Sequence, residues 1–252
     1  MEIFRNSIGM EFIYVPSGTG VIGSSVYEST RRENESPQHS IRLNGFWIAR
    51  FPTTQKEYSQ VIGVNPSYFS AFGQGSAHVR GVDTSKFPVE SVSWFDAESF
   101  CSIMAALPNE RESNRTYRLP FESEWEYACR STTSTAFSCG STFSSYHGNI
   151  DGRYPYGCDD IGPSAGRPTT VGSYAPNTYG LYDMHGNVWE WCANLYTSNY
   201  GPSPRKSSSA RVLRGGAWTC YSRFCRSAYR SCGEASIHYY DQGFRVICIS
   251  SI

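Results

Sequence analysis

Two cysteines, Cys220 and Cys225, stand in a C-x4-C spacing directly after Arg214-Gly215-Gly216-Ala217-Trp218. A pair of thiolates is chemically apt for a soft Cu(I) ion. Upstream, Gly186-Asn187-Val188-Trp189-Glu190 brings an amide, a carboxylate and main-chain carbonyls into one turn. Hard oxygens gathered in a turn suit Ca2+, so Gly186, Asn187, Val188 and Glu190 are candidate calcium ligands. Asn149 and Ile150, with Asp159 or Asp160 downstream, make a second and sparser candidate. Each motif also has a purely structural account. Buried cysteines behave as small apolar side chains, and Asn187 and Glu190 can cap and pair within their turn. The five histidines, His39, His78, His147, His185 and His238, form neither HxxxH nor HxH. No histidine-rich metal centre is therefore expected, and His185 reads as a hydrogen-bonded structural residue. No GxSxG nucleophile elbow occurs.

Residues 212–246 suggest recognition without reaction. Some positions look built for a frame: Arg214-Gly215-Gly216-Ala217-Trp218, Cys225-Arg226-Ser227-Ala228, Arg230 and Gly243-Phe244-Arg245. Between them lie Thr219, Cys220, Tyr221, Ser222, Phe224, Tyr229, Ser231, Cys232, Gly233, Ile237, His238, Tyr239, Tyr240 and Asp241. These show neither helical period nor alternation, so they read as loop surface. Tyr and Ser among them are the residue types of adaptable paratopes.

Stepping outward, the elements that must position these residues are short. The chain has 252 residues and net charge zero, which argues against a nucleic-acid partner. It contains no apolar run long enough to span a bilayer, and its first residues lack the pattern of a secretory signal. Localisation stays open: the cell surface is expected if an export or lipidation signal lies outside the sequence, and the cytoplasm otherwise. Nine cysteines leave at least one unpaired within the chain, and no CxxC suggests zinc. Ile8 to Val15 followed by Pro16-Ser17-Gly18 and Val21-Ile22-Gly23 reads as a hairpin, and 40–48 as one further strand. Thr54 to Ile62, stopped by Gly63, reads as a helix. So does 93–104, with Ala97, Phe100, Cys101 and Met104 on one face, and 122–130, with Trp125, Ala128 and Cys129 inward. At the start of that third helix Phe121 cannot supply a side-chain cap. Segments 69–86, 108–116, 131–170 and 193–210 read as irregular, with Ser-rich 203–210 a loop.

In order along the chain stand Asn6-Ser7-Ile8-Gly9-Met10-Glu11-Phe12, Thr54-Gln55, Asn65-Pro66-Ser67, Pro88-Val89-Glu90-Ser91-Val92-Ser93-Trp94, Tyr117-Arg118-Leu119-Pro120 and Glu124-Trp125-Glu126-Tyr127-Ala128. They are followed by Tyr179-Gly180-Leu181-Tyr182-Asp183-Met184-His185-Gly186-Asn187-Val188-Trp189-Glu190-Trp191, Leu213-Arg214-Gly215-Gly216 and Gly243-Phe244-Arg245. Together they resemble the formylglycine-generating-enzyme domain. The resemblance implies a single α+β domain over 1–252 of C-type-lectin-like fold. It would have antiparallel sheets, two flanking helices and much irregular loop. Within that family, residues 212–246 are similar to the variable proteins of diversity-generating retroelements. In those systems randomised adenines scatter Asn codons, which reach every residue type except Lys, Glu, Gln, Met and Trp. All fourteen unconstrained positions lie in the reachable set, whereas Trp218, Glu234 and Gln242 do not.

The resemblance implies a display protein whose variable surface binds a protein ligand by shape and aromatic complementarity, as a monomer. No cofactor is required, though structural Ca2+ is compatible with it. Arg214, Arg226, Arg230 and Arg245 would hold the frame through carboxylates such as Asp183 or Glu190. The alternatives are a copper-dependent oxidase using Cys220 and Cys225 on a substrate cysteine, and a pseudoenzyme partner domain. Against the oxidase, Ala217 stands where the family's enzymes carry Ser, and Cys225 lies nearer Arg226-Ser227-Ala228 than their pattern has it. The enzymes' Pro-Asp-Ser-Ser is Ala235-Ser236-Ile237-His238 here.

Overall fold

The computed structural model describes residues 2–202 and 204–250. In chain order its elements are β1 (Ile3–Arg5), β2 (Glu11–Val15), β3 (Gly18–Ile22), β4 (His39–Leu43), β5 (Phe46–Ala49), α1 (Gln55–Ile62), α2 (Trp94–Ala106), α3 (Pro108–Glu112), β6 (Arg115–Arg118), α4 (Glu122–Arg130), β7 (Trp189–Thr197), β8 (Lys206–Arg214), β9 (Ser231–Glu234), β10 (Gln242–Gly243) and β11 (Ile247–Ser250).

The central sheet has the order β1-β2-β5-β11-β6 and is antiparallel throughout. Side chains alternate across a strand, and β2 uses both faces. Phe12 joins the core under α2, built on Ala97, Phe100, Cys101 and Met104. Ile13 and Val15 face α4 through Trp125, Ala128 and Cys129. The helices expected at 54–62, 93–104 and 122–130 are therefore present with the expected faces inward. Thr54 and Ser93 each close a capping box, with Glu57 and Asp96, and Gly63 ends α1 at φ 88°. The chain runs extended through Phe244 and Val246, whose carbonyls accept from Thr53 and Ala49, before entering β11.

Several expected elements differ. β2 and β3 are not a hairpin, since β3 pairs with β4 in a separate two-stranded ribbon. Residues 40–48 are not one strand. They break between β4 and β5 and serve two sheets. Part of 108–116 is helical, because Pro108 starts α3. Stretch 193–210 is mostly strand: β7 and β8 form the long antiparallel pair of a second sheet, ordered β10-β7-β8-β9. In that sheet β10 runs parallel to β7, pairing Gln242 with Trp189 and Gly243 with Glu190.

Candidate binding surface

The segment from 214 to 245 is tied down from within by four arginines, each at most 1% exposed. Arg214 donates to Glu126 at 2.6 Å, to Glu122 at 3.2 Å and to the Ser227 carbonyl at 2.6 Å. Arg226 grips both oxygens of Glu35, at 2.7 and 2.9 Å. Arg230 does the same to Glu122, at 2.6 and 2.9 Å, and adds the carbonyls of Asn34 and Thr197. Arg245 takes both oxygens of Glu190. Planar guanidinium–carboxylate pairing of this kind fixes geometry as well as charge. Glu190 was foreseen as such a partner. Asp183 is not one: its carboxylate accepts from Gly172 N at 2.8 Å, and burial pushes its pKa up to about 6. The acidic counterparts Glu28, Glu35, Glu122 and Glu126 come from far upstream, where sequence spacing carries no signal of them.

Of the fourteen positions between the frame residues, Thr219, Cys232, Ile237, His238, Tyr239 and Tyr240 are exposed. Tyr221, Phe224, Ser231, Gly233 and Asp241 are partly exposed, and Cys220, Ser222 and Tyr229 are buried. The buried three depart from the expectation of free surface for physical reasons. The turn donating Cys220 N to Ala217 O folds Cys220 under. Ser222 begins a 3-10 turn against Tyr154. Tyr229 lies beneath Phe224 and the Arg32 guanidinium, 5.3 and 5.0 Å between centres. Ser231, Cys232 and Gly233 are not loop but edge strand β9. A side chain at Gly233 would press on Trp191, with its Cβ 2.8 Å from Cη2.

The positions form a chain of contacts. Tyr221 packs on Tyr154 at 4.0 Å and on Phe224 at 5.9 Å, and Tyr229 continues to Trp189 at 6.0 Å. Trp189 N donates to Asp241 O, whose side chain accepts from Thr219 Oγ1 at 2.8 Å. Beyond it Tyr240 lies against Trp218 and Tyr68 at 5.8 and 5.5 Å. His238 Nε2 reaches Asp96 at 2.8 Å. Tyr68, Tyr154, Arg32 and Arg223 thus belong to the surface although their spacing gave no sign of it. Trp218, assigned to the frame, is only half-buried, and its Nε1 lacks a partner.

Cys220 and Cys225 are both buried and free. Burial pushes the Cys220 thiol up to about 11 and raises the Cys225 thiol as well, so neither is a ready thiolate at neutral pH. Ala217 beside them is fully buried and brings no hydroxyl.

The expected calcium turn does not fit a shared ion. Glu190 spends both oxygens on Arg245, and Oε2 also accepts from Trp125 Nε1 at 2.6 Å. Asn187 Oδ1 accepts from Asn149 Nδ2 and Thr169 N, and its main-chain carbonyl accepts from Trp218 N. Gly186 and Val188 contribute backbone only, and Val188 lies in the core. Around Asn149, the Ile150 side chain is core and Asp159 and Asp160 point to solvent. Among the described residues no three His, Cys, Asp or Glu side chains gather as a metal cluster, and no helix is long and apolar enough to cross a membrane.

Residues 4–249 match the sulfatase-modifying factor enzyme 1-like domain. The chain is similar to the formylglycine-generating enzyme of Bos taurus, 29% identical over 96% of this chain and 75% of the relative. Among solved structures it resembles PvdO from Pseudomonas aeruginosa, with TM-score 0.78, 24% identity and coverage of 98% and 97% of the two chains. It also resembles Treponema denticola variable protein 1, with TM-score 0.71, 24% identity and coverage of 98% of each chain. At these identities the structural likeness establishes the fold, with its antiparallel sheets and few helices.

Proposed function

We propose that this chain, which belongs to the sulfatase-modifying factor enzyme 1-like family, is a ligand-binding display protein whose surface around 219–241 captures a protein by complementarity. One observation carries the reading. Four buried guanidiniums anchor the segment internally, while eleven of the fourteen positions between the anchors keep solvent access. A surface can be diversified only where its side chains lie outside the close-packed core, because exposed substitutions usually change stability by less than about 0.5 kcal/mol. Tyr239 and Tyr240, half-exposed and rigid, serve as anchors.

The test is a library varied at Thr219, Tyr221, Ile237, His238, Tyr239 and Tyr240 and selected against an unrelated protein such as hen lysozyme. Folded binders with distinct surfaces are expected. Failure of most members to fold would reject the reading. At the DNA level the same reading expects a nearby reverse transcriptase and a near-copy of the 212–246 coding segment carrying AAC or AAT at the varied codons.

A second reading, the copper oxidase, draws on one feature: Cys220 and Cys225 lie close enough for the charge of one to raise the pKa of the other. It requires aldehyde formation on a cysteine peptide with copper, above a Cys220→Ala control. The absence of a hydroxyl at Ala217 and the protonated thiols favour the display reading.

A further inference from the structure

Two guanidiniums on this surface have no acidic partner. Arg32 and Arg223 are exposed, and neither takes part in any ion pair among the described residues. Three acids near the surrounding walls are committed elsewhere, while Glu33, Asp159 and Asp160 are exposed and pair with neither arginine. Glu28 and Glu35 hold Arg226, and Asp151 holds Arg153. Both free cations lie over one ring: Arg223 Cζ is 4.6 Å and Arg32 Cζ 5.8 Å from the Phe224 centroid. Arg32 also covers Tyr229 at 5.0 Å, and Arg223 approaches Tyr221 at 5.7 Å. Beside Arg223 opens a cleft of about 500 Å³, walled by Thr30, Tyr154, Tyr156, Tyr221 and Arg223, with Arg32 outside its lining and over the same Phe224 ring.

We infer that this cleft seats acidic side chains of a protein partner, with Arg32 and Arg223 pairing their carboxylates above an aromatic floor. The inference rests on the display reading and names the ligand chemistry of one half of its surface. Charge complementarity is the argument. Charge-assisted pairs to arginine are about twice as strong as neutral hydrogen bonds, and gain geometric specificity when the guanidinium is held flat on a ring. A nucleic acid fits less well, because it needs a wide basic footprint and this chain has net charge zero. Arg32 and Tyr154 lie outside 212–246 and Tyr221 inside it, so a constant wall would set a preference for acid while the varied residues tune the fit.

The probe is a fluorescein-labelled peptide, Gly-Glu-Glu-Tyr-Glu-Glu-Gly, titrated with the full chain and followed by anisotropy. Its Gln-for-Glu counterpart and an oligothymidine are run beside it. The acidic peptide should bind about tenfold tighter than the Gln peptide, and weaken as salt rises. Arg32→Ala and Arg223→Ala should each weaken it severalfold, Arg223→Ala with an unchanged melting temperature, and Arg223→Lys should restore only part. Phe72→Ser, at a fully exposed position outside the lining of the cleft, should leave it unchanged. Equal binding of the Gln peptide, indifference to both arginines, no binding at all, or tighter binding of the oligothymidine would each overturn the inference. The library selection fails or succeeds independently of this titration, so loss of the display reading and loss of the acidic cleft are distinguishable.

Discussion

Arg245 and Glu190 meet side by side with neither side chain exposed, Nε to Oε2 and Nη2 to Oε1 both 2.6 Å. The pair stitches the last frame motif to the strand that begins at Trp189, just where β10 runs parallel to β7. The same carboxylate takes the indole N–H of Trp125 from α4, so one acid joins three segments distant in sequence. The other three frame arginines repeat the device with Glu35, Glu122 and Glu126. Burial of so many ions is costly unless each is fully paired, so substitution of a frame arginine should cost more than substitution at the exposed positions between.

Removing one partner of such a pair leaves an uncompensated buried charge. Arg245→Met should cost about 3–5 kcal/mol in urea unfolding. Arg245→Met with Glu190→Gln should recover part of that loss. If the double variant is as unstable as the sum of the singles, the pair is not coupled as described.

Two buried groups oppose each other in the pH dependence of stability. Burial pushes Glu90 from 4.5 up to about 7, although Tyr68 N, Phe69 N and Ser91 Oγ donate to it. A raised folded pKa means its contribution is full below about 4.5 and is lost as pH rises through 7, a change of about 3 kcal/mol. Burial pushes His185 from 6.5 down to about 4, so its contribution is full above 6.5 and is lost as pH falls through 4. Over the shared window the two nearly cancel. The stability of the protein minus that of Glu90→Gln should therefore fall by about 3 kcal/mol between pH 4.5 and 7.5. A difference that stays flat across a urea series at several pH values rules this out.

Elements marked by local chemistry were legible in the sequence. α1 and α2 announce themselves by Thr54, Ser93, Gly63 and the stripe from Ala97 to Met104. What failed depended on distant partners. Gly18 and Gly20 look like turn glycines, yet they are small because Tyr127 of α4 lies across them. A Cβ at Gly18 would stand 2.6 Å from the Tyr127 hydroxyl. Ser-rich β8 lacks an apolar alternation at its start and is a strand because β7 pairs with it. At the surface, the positions between the frame residues were readable as a pattern, but Tyr229 looks identical to Tyr239 in sequence. The Phe224 and Trp189 rings and the Arg32 side chain bury one and not the other.

The start of α4 yields a test of that long-range logic. Phe121 offers no side-chain cap, but Glu124 accepts from Phe121 N and Asn194 Oδ1 of β7 accepts from Glu122 N, both at 2.7 Å. Asn194 thus stands in for the missing cap. Asn194→Ala should destabilise by about 1 kcal/mol, and Phe121→Thr should gain less than that, because Arg118 loses its ring contact at 4.7 Å. An Asn194→Ala melting temperature equal to that of the parent would show that α4 needs no donor-satisfying partner there.

The surface separates tyrosines that differ only in their neighbours. Tyr239 and Tyr240 are 52% and 45% exposed, whereas Tyr229 is 7% exposed. Replacing Tyr221, Tyr239 and Tyr240 together by Ser should move stability by no more than about 1 kcal/mol, since exposed changes usually stay within a few tenths each. The same variant should lose binding to a target selected by the parent surface. Tyr229→Ala should instead cost about 3 kcal/mol, because it empties a site packed by Phe224, Trp189 and the Arg32 guanidinium. Phe244→Ala, fully buried against Tyr58 and Phe100, should cost at least as much and leave little folded protein. Thermal melts of the three variants measure the stabilities, and a binding titration measures the loss of the target. A triple Ser variant that unfolds, or a Tyr229→Ala that does not, would mean that these side chains sit in the opposite environments from those described.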